Sequence, residues 1–124
     1  MLEVDVLGSA VAEARVCALA AVALGSAGIQ DGHLAVTFVD PARIAELNAR
    51  WRGRTGPTDV LSFPVDELGD SFGPRELGDV VICPEHTVDL EEAVVHGVLH
   101  LVGMDHEADA GEMLALQAQI LEWM

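Results

Sequence analysis

The stretch from Val95 to His106, reading VHGVLHLVGMDH, leaves the chain little freedom. Its apolar spacing is that of an amphipathic helix, and His96 and His100 stand four residues apart on it. Four residues advance an α-helix by about 400° and about 6 Å, so both imidazoles leave the same side one turn apart and can share a metal ion. His106 cannot join them while the helix continues, because six further residues turn it about 120° from His100 and carry it about 9 Å along the axis. The helix must therefore stop. Gly103 stands where a left-handed C-terminal cap would end it and turn the chain back. A site closed by His96, His100 and His106 has three nitrogen ligands and one tetrahedral position left for water, the arrangement of a catalytic rather than a structural zinc. One zinc ion is expected, and another divalent transition metal would suit the same donors.

This spacing is that of the elongated zincin pattern with one departure. The glutamate that follows the first histidine, the general base of the peptidases, is here Gly97. Glycine inside a helix costs about 1 kcal/mol relative to alanine, so Gly97 signals a need for space, for a neighbouring strand, a water or a substrate. Asp105 and Glu107 are the nearest carboxylates in sequence, available as a base or to orient a histidine.

The rest of the chain reads as scaffold. Leu2, Val4 and Val6 alternate with acidic residues as a half-buried strand would, and Gly8-Ser9 offers a turn and an N-cap. A helix is expected from Ala10 to about Leu24, ended by Gly25, and a second strand from His33 to Val39. His33 is expected at the surface. Asp40-Pro41 opens a helix that runs to about Arg50, and Trp51 begins a polar, basic loop leading to a strand over Val60–Phe63. Val65 to Glu76 is rich in breakers and acidic residues and reads as a mobile loop, followed by an apolar strand at Val80–Ile82. His86 is expected at the surface. Asp89 can cap the histidine-bearing helix with Glu92 as its capping-box partner. A last helix, about Asp109 to Trp123, presents Met113, Leu116, Ile120 and Trp123 as a core stripe. The order βαβαββαα implies an α+β fold: one layer with a short mixed sheet of about four strands, packed with helices, its metal site on the penultimate helix.

At 124 residues and 51% hydrophobic content the chain suits one domain, residues 1–124, with ample material for a core. No run approaches the roughly 18 apolar residues of a membrane span, and the acidic start from Met1 to Asp5 lacks the basic region of a signal peptide. A cytoplasmic protein with no membrane partner is expected. Cys17 and Cys83 read as buried thiols rather than a disulfide. The formal net charge of −15 runs against nucleic-acid binding. Its six basic residues are all arginines, however, and Arg43, Arg50, Arg52 and Arg54 fall within one short stretch, a local basic rim that could still meet phosphate.

From His96 to His106 the pattern His-Gly-x-Leu-His-Leu-x-Gly-x-Asp-His resembles the signature of the YbeY family, bacterial metal-dependent endoribonucleases of ribosomal RNA maturation. Two further blocks are similar to that family's: Leu47-Asn48 with Trp51-Arg52 and Pro57 to Pro64, and Leu77 to Glu85. The segment between Glu85 and His96 is shorter than the family's usual one. The resemblance implies a zincin-like fold in which the metal helix packs on the sheet and the third strand borders the cleft. It also implies zinc-dependent hydrolysis of single-stranded RNA phosphodiesters, with ribosomal RNA and the small ribosomal subunit as partners and no role for DNA. Arg52 falls at the family position that contacts phosphate, and its guanidinium suits bidentate recognition and stabilisation of transition-state charge, which makes it the catalytic candidate ahead of Arg50 and Arg54. Two rivals stand beside this reading. One is a non-catalytic small-subunit maturation factor containing zinc, and the other is a zincin-type peptidase, which lacks its base at Gly97.

Overall fold

The computed structural model describes residues 2–65 and 76–124. Along the chain run β1 (Leu2–Leu7), α1 (Glu13–Ser26), β2 (Gly32–Phe38), α2 (Pro41–Arg52), β3 (Val60–Pro64), β4 (Glu76–Ile82), a 3-10 turn (Pro84–His86), α3 (Leu90–Leu101) and α4 (Glu112–Trp123). The expected βαβαββαα order is present. Residues 66–75, the bulk of the stretch expected as a mobile loop, lie outside the described residues.

The sheet has the order β1-β2-β4-β3, with β1, β2 and β4 parallel and β3 antiparallel to β4. Strand alternation gives it two different faces. Leu34 and Val36 of β2 with Val80 and Ile82 of β4 meet α1, α3 and α4 in the main core, whose centre is Leu19, Leu24, Val94, Val95, Leu99 and Met113. The opposite face carries Leu61, Val81 and Cys83 against Ile44 of α2. On the uncovered part of that face, His33 bridges two strands, with Nε2 2.7 Å from Asp5 and Nδ1 2.9 Å from Glu76. Hydrogen bonds to Glu76 and Asp5 push its pKa up to about 9, so it is a charged clasp on the sheet surface. Arg15 of α1 holds Glu91 at the start of α3 through two bonds of 2.9 Å.

Several boundaries differ from the sequence-based expectation. The first helix opens at Glu13 rather than Ala10, with Ala12 at the N-cap and no side-chain cap, so Ser9 does not serve. It continues through Gly25 to Ser26 and ends in a Schellman turn, Ile29 N–H to Leu24 O and Gly28 N–H to Gly25 O, with Gly28 at φ +78°. Trp51 and Arg52 are the last turn of α2 and not a loop, since the left-handed residue that stops the helix is Gly53. On α4 the inward stripe is Met113, Gln117, Ile120 and Met124, which leaves Trp123 81% exposed rather than in the core. Cys17 and Cys83 are free thiols; Cys83 is buried and Cys17 only partly so. Among the described residues no helix is long and apolar enough to cross a membrane.

Candidate metal centre and its cleft

Asp89 caps α3 by accepting from the Glu92 N–H, and the helix carries His96 and His100 into a half-buried position. Its end is built as the glycine requires. Val102 is the C-cap, Gly103 takes φ +93°, its N–H donates to His100 O, and Met104 N–H reaches back to Leu99 O. The reversed chain then folds a turn in which Ala108 and Asp109 N–H both donate to Asp105 O, and this turn brings His106 over the two helical histidines. Ring centroids are 4.7 Å apart for His96 and His100, 5.0 Å for His96 and His106, and 5.3 Å for His100 and His106. One nitrogen from each ring lies within 4.8 Å of the others, and the Nε2 atoms of His96 and His100 are 3.1 Å apart.

The donor set suits a metal on two further counts. His106 Nδ1 is buried without a hydrogen-bond partner, an orphaned polar atom of the kind that ligation relieves. Burial first, then the neighbouring His96 and His106, hold the His100 pKa below its ordinary value, which keeps that imidazole in the neutral form that ligates.

Two polar residues that the sequence does not mark as site residues, Asn48 falling only within a family-like block, support this region. Gln117 of α4, 7% exposed, accepts at Oε1 from His96 Nδ1–H over 2.8 Å, which fixes the tautomer and turns Nε2 toward the other histidines. Asn48 of α2, 5% exposed, donates from Nδ2 to Gly56 O, while its own carbonyl accepts from Gly53 and Arg54 N–H. Each sits on the buried stripe of its helix, at i+4 from Met113 and from Ile44, and that placement is the signal that could have marked them. Arg52 comes one more turn along the same line as Ile44 and Asn48.

A cleft of about 840 Å³ joins these parts. His96, His100 and His106 line it together with Arg52, Arg54, Asn48, Asp59 and the β3 edge from Val60 to Ser62. Arg52 therefore shares a cavity with the histidines, as does Arg54; Arg50 does not line it and instead lies over the Trp51 ring, 5.2 Å from its centroid. Arg43 is paired with Glu46 at 2.9 Å. Among the described residues no carboxylate pairs with Arg52 or Arg54. Asp105 and Glu107 also line the cleft; Asp105 Oδ1 accepts from the Glu107 N–H, and neither carboxylate makes a hydrogen bond to a histidine ring among the described residues. His86 stands in the 3-10 turn, away from this cavity lining.

Gly97 makes room for a strand. A Cβ there would collide with Val80 Cγ1 and come within 3.2 Å of Val60 Cγ2, and the Gly97 carbonyl accepts from Ser62 Oγ–H at 2.8 Å. Position 97 thus packs on β3 and β4.

The family model Endoribonuclease YbeY matches residues 9–124. The chain is 44% identical to an Endoribonuclease YbeY of Salinispora tropica, over 86% of this chain and 83% of that protein. It is 39% identical to one of Azorhizobium caulinodans, over 97% and 91% respectively. Among solved structures, the solution structure of a Thermotoga maritima protein matches with a TM-score of 0.54 and 28% identity, covering 98% of this chain and 87% of that one.

Proposed function

This chain belongs to the Endoribonuclease YbeY family, and from that membership and its cleft we infer a metal-dependent endoribonuclease of ribosomal RNA processing. The observation that carries the reading is one cavity lined by three convergent histidines and two arginines that have no carboxylate partner among the described residues. On this reading His96, His100 and His106 hold one zinc ion, and the whole chain acts as one hydrolase domain on single-stranded RNA at the small ribosomal subunit, in the cytoplasm. When bound, such an ion supplies Lewis acidity toward a phosphoryl oxygen and acidifies water.

The protein's own groups do the rest. Gln117 holds His96 in the ligating tautomer. Arg52 and Arg54 draw RNA phosphates into the cleft of an otherwise acidic chain, and Arg52 meets the charge that builds on the phosphoryl oxygens as the bond breaks. Asn48 fixes the loop that carries Arg54. Asp105 and Glu107, which line the cleft with Asp59, are the carboxylates nearest the histidines in sequence and the candidates to accept a proton from the attacking hydroxyl.

The collision awaiting any side chain at position 97 disfavours the peptidase alternative, since a glutamate base has no place there. The test is incubation of metal-replete protein with structured RNA and, separately, with casein. Internal cleavage of RNA with intact casein is expected. Casein digestion would restore the peptidase reading, and tight binding to RNA or small subunits without cleavage would leave a non-catalytic maturation factor.

A further inference from the structure

Arg52 and Ser62 line a second cavity as well, of about 630 Å³, between α2 and the far face of the sheet. Its walls include Leu47, Trp51 and Phe63, with Arg43 and Asp79 at polar positions. Trp51 is held from two sides, by the Arg50 guanidinium 5.2 Å above its ring and by Phe63 edge-on at 6.4 Å, yet remains 60% exposed. A fixed, exposed indole beside a chain of arginines is a stacking platform.

We propose that this cavity is a base-stacking subsite, in which the unpaired nucleobase next to the phosphate held at Arg52 stacks on Trp51. The inference rests on the endoribonuclease reading and adds to it a place for the base. The wall decides between base and phosphate as occupant. Arg43 is already paired with Glu46 at 2.9 Å and Asp79 shares the lining with Arg52, so this cavity is distinguished by its apolar and aromatic surface, Leu47, Trp51 and Phe63. Such a wall suits the uncharged part of a nucleotide, and Arg52, which lines both cavities, joins the two halves. Asp79 adds an acceptor for the N–H groups on the edge of a base.

The chain has two tryptophans, so Trp123→Phe, at an exposed position outside both cavities, makes Trp51 the lone reporter. This variant is titrated with a short single strand carrying nuclease-resistant 2′-O-methyl linkages, in base-bearing and abasic forms, while binding is followed separately by anisotropy of the labelled strand. The base-bearing strand should quench Trp51 emission saturably and the abasic strand should not. Trp51→Ala in the otherwise native chain should weaken the base-bearing strand about 5- to 150-fold, with Trp51→Phe restoring most of the affinity. Binding of the base-bearing strand with Trp51 emission unchanged, or equal quenching by both strands, overturns the subsite while RNA cleavage by the same sample leaves the nuclease reading intact. Failure of both strands to bind, together with no cleavage of RNA, removes the endoribonuclease reading and the subsite with it.

Discussion

Replacing Gln117 by leucine should cost metal affinity without touching a ligand. The Gln117 carbonyl is the acceptor for His96 Nδ1–H at 2.8 Å, with Gln117 buried and His96 half-buried. A neutral hydrogen bond contributes about 1 kcal/mol net, and leaving a buried N–H unpaired adds about 1–3 kcal/mol. The part of that penalty felt at the metal follows from the orienting role. Removing such a partner typically lowers affinity about 10–100-fold, or about 1.4–2.8 kcal/mol, which overlaps the lower part of the range set by the hydrogen bond itself. The assay is competition for zinc against a fluorescent chelator at neutral pH, with circular dichroism and thermal melting to show that the variant is folded. Gln117→Glu keeps an acceptor and should bind within a few-fold of the parent. Equal zinc affinity for the parent and a folded Gln117→Leu protein would refute the claim that α4 orients the ligand.

Arg52→Lys should lose much of the single-turnover cleavage rate and Arg52→Ala about 10²–10³-fold, with metal content unchanged, because a point charge cannot reproduce the guanidinium fork; equal saturating rates for parent and lysine variant would reduce Arg52 to a binding residue. Gly97→Ala should destabilise the fold by up to about 2 kcal/mol, since overpacking against Val80 costs about 1–3 kcal/mol and the gain in helix propensity returns about 1 kcal/mol; a raised denaturation midpoint would contradict the close approach of α3 to β4. Gly97→Glu should yield no casein cleavage. His33→Gln should lower stability by about 1 kcal/mol at pH 6, a value already discounted for exposed carboxylate partners. The His33 pKa is raised from 6.5 to about 9, so its contribution is complete below pH 6.5 and lost as pH rises through about 9. Urea midpoints that differ as much at pH 10 as at pH 6 would sink that assignment.

The convergence of the three histidines is the most legible part of the chain because two local rules determine it. Helical spacing puts His96 and His100 together, and the φ +93° of Gly103 in a Schellman turn is what brings His106 back. Arg52 was legible as a residue but not as the end of α2, because a helix stops where left-handed backbone becomes available, and Gly53 lies two residues beyond the expected start of the loop at Trp51. Gln117 and Asn48 stayed hidden because a buried polar side chain looks like a solvent-facing one until its partner, brought by a different element, is known. Trp123 was misplaced for a related reason. Leu116 does pack partly buried against the core, but the packing of α4 on α3 and α1 centres the buried stripe on Met113, Gln117 and Ile120, which turns Trp123 outward. The clasp of Asp5, His33 and Glu76 depends on strand order, with β2 between β1 and β4, which no local pattern encodes.

The account depends most directly on the dependence of RNA cleavage on metal bound at the three histidines. Metal-stripped protein should be titrated with zinc while single-turnover cleavage of an RNA substrate is followed, in parallel with His100→Ala. Cleavage rising to a plateau at one ion per chain for the parent, and remaining flat for the variant with its zinc affinity lost, is the predicted result. Cleavage by stripped protein at the full rate, or a His100→Ala protein that keeps both one tightly held ion and its activity, would contradict it.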